Sequence, residues 1–289
     1  MCRFLSYLGP PITIDELLVK PDHSLINQSY DAKEMSEPLN GDGFGLGWYV
    51  RKVRQHPGLF RSITPAWNNQ NLLYNASLIK TDCLFAHVRA ASEGGVFEPN
   101  CHPFRYKEFL MMHNGGIRSF PKVKRKLIDW LTDEFFLWIK GQTDSEHIFA
   151  LLMQNLADIK SGEASLDVAD IADGFKRTFE QLEHFKREAG IEEEVSAYNM
   201  MITDGIRVFG TRYSTQPEKI TPTLYYYTGN RFHCEEGETR MENREDEPDE
   251  LVIVASERLT KRADEWKAIP PNHFIGISED KSVELIALS

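Results

Sequence analysis

Cys2 follows the initiator methionine directly. If Met1 is removed, the thiol stands on a residue that also carries a free α-amine, whose pKa of about 7.7–8.0 lies near neutral pH. That amine can take the thiol proton directly or through water, so one residue supplies nucleophile and base. The other reading of Cys2 is a small side chain buried in a first strand. The run Asn40-Gly41-Asp42-Gly43-Phe44-Gly45-Leu46-Gly47-Trp48 alternates glycine through a strand-like stretch, which weakens a sheet and marks close backbone approach by another group. It is not a GxGxxG opening a helix, and no P-loop lysine follows. Arg89 ends the run Phe85-Ala86-His87-Val88-Arg89-Ala90-Ala91-Ser92; it either pairs with an internal acid or receives a carboxylate, for which its planar fork is suited. Asn100-Cys101-His102-Pro103-Phe104 precedes Met112-His113-Asn114-Gly115-Gly116. An Asn amide beside a Gly N–H offers two donors to an oxyanion, although Asn-Gly is also an ordinary turn. Asp144, in Thr143-Asp144-Ser145-Glu146, reads equally well as a helix cap.

In this order, the five pieces resemble the class II (N-terminal cysteine) glutamine amidotransferases of the Ntn-hydrolase superfamily. The pattern is an N-terminal Cys, a His-x-Arg strand end, Asn-x-His-Pro, His-Asn-Gly and Thr-Asp-Ser-Glu opening a helix, spread over residues 2–146. Several stretches are similar to a stand-alone subgroup acting on γ-glutamyl compounds in glutathione degradation or ergothioneine biosynthesis. These are the Met-Cys-Arg-Phe-Leu start, Thr64-Pro65-Ala66-Trp67-Asn68-Asn69, Leu25-Ile26-Asn27-Gln28-Ser29 and Ala255-Ser256-Glu257. The glutathione-degrading subunit is the nearer likeness. The resemblance implies that Cys2 attacks a γ-carbonyl with its own amine as base, and that Asn114 and the Gly115 N–H hold the oxyanion. It further implies that Arg89 binds the α-carboxylate and Asp144 the α-ammonium, with Ser92 lining the carboxylate site. His87, His102 and His113 then orient and pack. The chain departs from many relatives at Asn40, Ala90 and Glu93, where Arg, Trp and His are common, so glutamine is not carried over as the substrate.

The elements that must position these residues follow from the apolar pattern. Strand signals fall at residues 2–8, 44–50, 83–89 and 109–113, then helices at 144–157 and 166–186, then strands at 197–203, 206–212, 223–228, 251–256, 273–277 and 282–288. Strands, helices and strands again imply an α+β arrangement of antiparallel sheets with helices outside. With the resemblance this becomes a four-layer αββα sandwich, with residues 2–289 as one amidotransferase-type domain. Residues 235–250 hold nine acids and two arginines and read as a solvated loop between strands.

Composition removes other classes of function. The net charge of −11 from 33 basic and 44 acidic residues argues against a nucleic-acid groove or an anionic membrane surface. Four separated cysteines without a CxxC pair exclude a disulfide framework and an ordinary zinc site. No run reaches the roughly 18 apolar residues of a membrane span, so the chain reads as cytoplasmic with reduced thiols. The expected function is a cysteine amidohydrolase that cleaves a γ-glutamyl amide through a thioester on Cys2, with no metal or organic cofactor. A separate peptidase or ammonia-accepting subunit is the partner the mechanism leaves room for. The alternative is a catalytically silent γ-glutamyl-binding or scaffold subunit. A third reading, an acylase for bile-salt or penicillin-like amides, is disfavoured because such substrates lack the amino-acid head that Arg89 and Asp144 suit.

Overall fold

The computed structural model describes residues 2–34, 38–91, 94–160, 166–235, 238–242 and 250–288. Met1 and Ser92, both singled out from the sequence, lie outside the described residues. The chain runs through β1 (Arg3–Thr13), α1 (Asp15–Leu18), α2 (Leu25–Asp31), β2 (Phe44–Trp48), β3 (Gly58–Ser62), α3 (Gln70–Ala76), β4 (Lys80–Val88), β5 (Phe104–Tyr106) and β6 (Phe109–Gly116). The helices α4 (Phe120–Trp130), α5 (Asp133–Trp138), α6 (Asp144–Ile159) and α7 (Val168–Glu188) follow. Then come β7 (Ala197–Thr203), β8 (Val208–Arg212), β9 (Tyr225–Gly229), β10 (Arg231–Glu235), β11 (Glu238–Glu242), β12 (Leu251–Ala255), β13 (Lys267–Ala268), β14 (His273–Ile277) and β15 (Val283–Ala287).

The first sheet is ordered β13-β9-β12-β1-β4-β2-β3 and the second β15-β14-β8-β7-β6-β5. Their strand pairs are antiparallel. Leu5, Tyr7, Phe44 and Ile253 of the first sheet pack under Leu17, Leu25 and Leu72 of α1–α3. Met111, Met200 and Phe209 of the second pack against Phe120, Phe149, Phe175 and Leu182. Phe4, Phe85, Leu110, Met112 and Val254 fill the space between the sheets. These are the four layers, α on β on β on α. The sequence pattern found only α6 and α7: α1–α3 and α5 have four to seven residues each, too few to display a helical period, and the 11-residue α4 buries only Phe120, Val123 and Leu127 among its lysines and arginine. The loop expected at 235–250 is corrected in part: Glu238–Glu242 form β11, which pairs with β10, and Met241 is buried in the first core with Phe232 of β10, while residues 236–237 and 243–249 lie outside the described residues. Among the described residues no helix is long and apolar enough to cross a membrane.

Strand alternation decides what faces inward. In β1, Leu5 and Tyr7 face the helices and Phe4 faces the second sheet. Cys2 therefore shares the inner side and Arg3 the outer. In β4 the inner residues are Cys83 and Phe85, then His87. In β6 Leu110 and Met112 point inward and Met111 outward, so Asn114 faces the first sheet and His113 faces α6. The glycine run in β2 obeys the same rule: Phe44 and Leu46 face the helices and Gly45 faces inward. A Cβ on Gly45 would lie 2.2 Å from the His102 carbonyl oxygen. The close approach expected of that run is thus to the Asn100–Phe104 segment of the opposing layer.

Histidines tie the layers together. His87 Nε2 lies 3.2 Å from the His113 carbonyl and must donate to it, because a carbonyl only accepts. The His102 ring lies against His87, centroids 4.2 Å apart. His147 Nδ1 meets the Thr143 carbonyl at 2.7 Å. Burial drives His87 down to about 3, His147 to about 4 and His102 well below its ordinary value, so all three are neutral at pH 7. On acidification from 6.5 the unfolded chain protonates first, so it binds more protons and native stability falls. Each histidine contributes up to about 1.4 kcal/mol per pH unit until its lowered folded value is reached. Urea midpoints should therefore fall steadily as the pH is lowered from about 6.5 to about 4; a flat profile would mean that these rings are charged in the native state.

Candidate active site

Cys2 stands immediately before β1 and is half-buried. Its Sγ accepts a hydrogen bond from the Ala90 N–H at 3.4 Å. The strand end carrying Ala90 is held by the glycine run: the Arg89 N–H donates to the Gly43 carbonyl at 2.8 Å, and the Asp42 N–H donates to the Arg89 carbonyl at 2.9 Å. Asp42 Oδ2 also accepts from the Ala91 N–H at 2.8 Å. Arg89 is buried, and its Nη1 and Nη2 donate to the carbonyls of Gly95 and Gly94. Asn100 pins this loop from below, donating to the Gly95 carbonyl at 2.9 Å and accepting from the Gln142 N–H at 2.8 Å. Asn40 is docked on α2 instead, its N–H donating to the Ser29 carbonyl at 2.7 Å.

On the opposing sheet, Asn114 is wholly buried, and among the described residues neither its Oδ1 nor its Nδ2 has a hydrogen-bond partner. Gly115 follows with φ 148°, and a Cβ there would overlap the Ala197 carbonyl. Only glycine fits that backbone. Asp144, the first residue of α6, is buried. Its Oδ2 accepts from the Ile117 N–H at 2.7 Å and its Oδ1 from the Ser145 N–H at 2.7 Å. Asp144 is therefore not the N-cap; Thr143 caps the helix by accepting from the Glu146 N–H. His113 reaches from β6 to Ser145 Oγ at 2.9 Å and to the Ala197 carbonyl at 3.1 Å, fixing the strand of Asn114 to the helix of Asp144. A pocket of about 230 Å³ is walled by Gly115, Gly116, Ile117 and Asp144 on one side and by Ser196, Ala197 and Ile220 on the other. A larger cleft of about 580 Å³ beside the β10–β11 hairpin shares no wall residue with it.

Alternation and the His87–His113 contact thus bring Cys2 and Arg89 of one sheet to the same end as Asn114, Gly115 and Asp144 of the other. Burial pushes the Cys2 thiol above its ordinary value, against the Ala90 amide and the positive charges of Arg89 and Arg3. A thiol kept protonated needs a base before it can attack. Sequence reasoning gave Arg3 no role, yet it is buried and its Nη1 donates to the Cys2 carbonyl at 2.9 Å. The available signal was an arginine inside the apolar run 2–8, since a buried charge requires a partner. Among the described residues no group of three or more His, Cys, Asp and Glu is placed to hold a metal ion.

Comparison with known proteins identifies the family. Residues 19–287 match the family model for class-II glutamine amidotransferases, a span that begins after Cys2. The chain is 40% identical, over 96% of its length and 82% of the relative's, to the probable glutamine amidotransferase DUG3 of Saccharomyces cerevisiae. It is 32% identical to the gamma-glutamyl-hercynylcysteine sulfoxide hydrolase of Mycobacterium tuberculosis over 40% of this chain and 50% of that one. Among solved structures it superposes on a glutamine aminotransferase class-II domain protein from Silicibacter pomeroyi with a TM-score of 0.65 at 22% identity, covering 99% and 98% of the two chains. It also superposes on the glutamine phosphoribosylpyrophosphate amidotransferase of B. subtilis with a TM-score of 0.58 at 13% identity, covering 99% of this chain and 49% of that one. The chain therefore belongs to the class-II glutamine amidotransferases.

Proposed function

We propose that this protein is a cysteine amidohydrolase that cleaves a γ-glutamyl amide through a γ-glutamyl thioester on Cys2. The observation that carries the reading is the buried, unpartnered Asn114 amide. Leaving such a group without a partner costs free energy, and an oxyanion supplies the acceptor that its N–H lacks. The relatives named for gamma-glutamyl hydrolysis and amidotransfer point to the same bond. In the first step the Cys2 sulfur attacks the γ-carbonyl carbon while its proton passes to the α-amine of the same residue. Asn114 Nδ2 and the Gly115 N–H donate to the negative oxygen of the tetrahedral intermediate. Its collapse breaks the C–N bond, and the leaving amine takes the proton back from the ammonium. Water then attacks the thioester, the amine again accepting a proton, and glutamate departs with the thiol restored. Arg89 holds the α-carboxylate, Asp144 the α-ammonium, and Ser92 completes the carboxylate site. Residues 2–289 act as one domain, and the released amine goes to solvent or to a separate peptidase or ammonia-using subunit.

The direct test is a panel of glutamine, glutathione and γ-glutamyl-cysteine derivatives with free glutamate as the readout. Glutamate should be released from at least one of them, and Cys2→Ser should lower that rate at least about 100-fold with the fold intact, because a hydroxyl is the poorer nucleophile at neutral pH. Binding without turnover across the whole panel would identify a silent γ-glutamyl-binding subunit instead.

Arg89→Lys and Asp144→Asn should each raise KM about tenfold or more, since each weakens a charge-assisted contact to the amino-acid head. A substrate lacking the α-amino group should be insensitive to Asp144→Asn; an equal loss on that substrate contradicts the ammonium role. The base role requires a chain beginning at Cys2. N-terminal sequencing of active protein should begin at Cys2, and homogeneous protein retaining Met1 should be inactive. Full activity with Met1 in place would move the base role to another group.

A further inference from the structure

Two stretches distinguished in the sequence, residues 25–29 and 255–257, take no part in the chemistry above, yet both converge on the first residues of β1. Ser256 pairs with Phe4, donating its N–H to the Phe4 carbonyl at 3.0 Å and accepting from the Phe4 N–H on Oγ at 3.1 Å. Glu257 then meets Arg3 on the helix-facing side of the sheet. Glu257 Oε1 accepts from Arg3 Nε at 2.6 Å and from the Glu34 N–H at 3.1 Å. Its Oε2 accepts from the Lys33 N–H at 2.8 Å and faces His23 Nε2 at 2.7 Å. Gln28 of α2 fixes the His23 backbone by donating to its carbonyl at 2.9 Å. Burial alone would raise the Glu257 carboxyl, but His23, the two amides and Arg3 hold it down to about 2. Arg3 and Glu257 are each 1% exposed.

With Nε on the carboxylate, Arg3 turns Nη1 to the Cys2 carbonyl at 2.9 Å and Nη2 to the Glu34 carbonyl at 3.4 Å. A buried ion pair is a poor device for stability, because a well-packed apolar pair does as well or better. What an apolar pair cannot do is hold the carbonyl of the nucleophilic residue. The paired register of β1 begins at Arg3, so Cys2 stands just outside it. The Cys2 Cα carries both the thiol and the amine, and the orientation of its carbonyl sets the aim of both.

We propose that Arg3 and Glu257 are positioning residues for Cys2: the carboxylate fixes the guanidinium, the guanidinium fixes the Cys2 carbonyl, and the nucleophile is thereby aimed from the face of the sheet opposite the substrate. The inference rests on Cys2 being the nucleophile. Neither residue lies on the substrate side, so their loss should act on kcat and leave KM alone.

The test compares the full-length parent with Glu257→Gln, Glu257→Asp, Arg3→Lys and the paired Arg3→Met with Glu257→Leu. Two readouts are taken: steady-state kinetics on the substrate selected by the panel, and the rate of Cys2 alkylation by iodoacetamide followed by peptide mass. Glu257→Gln, Arg3→Lys and the paired variant should each lower kcat and alkylation at least about tenfold, with KM moving less than about twofold. Glu257→Asp should recover part of the loss. Parental kcat and alkylation in the folded paired variant would overturn the proposal, as would a rise in KM at unchanged kcat. Should the neutral variants not fold, Arg3→Lys decides, since it keeps a charge beside Glu257 but lacks the fork that reaches both groups. A parent whose Cys2 resists alkylation and which releases no glutamate overturns the nucleophile reading itself; an active parent with unchanged variants removes only the positioning.

Discussion

Cys2, which we propose as the nucleophile, stands just before β1, so what aims it comes from the strands on either flank. Here β1 lies inside the first sheet, with β4 on one side and β12 on the other. The Arg3–Val88 pairing sets its register against β4, and the Leu5–Ala255 pairing sets it against β12. Once that register is set, the two-residue period of a strand leaves no choice: Cys2 points to the opposing sheet and Arg3 away from it. A slip of one residue would bury the arginine between the sheets and turn the thiol toward the helices.

On the proposed mechanism the second sheet must then come close enough for Asn114 and Gly115 to share a substrate with Cys2. Two features permit this. Gly45 leaves room for the His102 carbonyl, and the neutral His87 donates across the gap to the His113 carbonyl. A charged ring in that gap would carry a desolvation cost with no buried counter-charge among its hydrogen-bond partners. On the proposed mechanism, His87 and His102 serve as uncharged polar spacers rather than as acid or base. His113 joins the same system from the other direction, locking β6 to the start of α6 through Ser145.

Long apolar runs were legible in the sequence. The expected bounds of 197–203 and 273–277 coincide with β7 and β14, and α6 and α7 begin within two residues of their expected starts. Elements too short to show a period were not legible, which is why α1–α3 and β13 went unseen. The β10–β11 hairpin was hidden by its charged sequence, because its buried face offers little beyond Phe232, Cys234 and Met241. Residues whose chemistry is carried by type and neighbours, such as Cys2, Arg89, Asn114, Gly115 and Asp144, could be picked out and were brought to one end of the sandwich. The Arg3–Glu257 pair could not, because 254 residues separate its members and nothing local marks them as partners.

That separation has a consequence for the order of events in the life of the chain. Glu257 is made 254 residues after Arg3. Until then β1 lacks one of its two neighbours, and the Cys2 carbonyl lacks its anchored arginine. Contacts of such long sequence separation also form late and slowly in folding. On the positioning proposed for Arg3 and Glu257, a partly made chain therefore carries an unaimed cysteine, and competence waits until β12 pairs with β1.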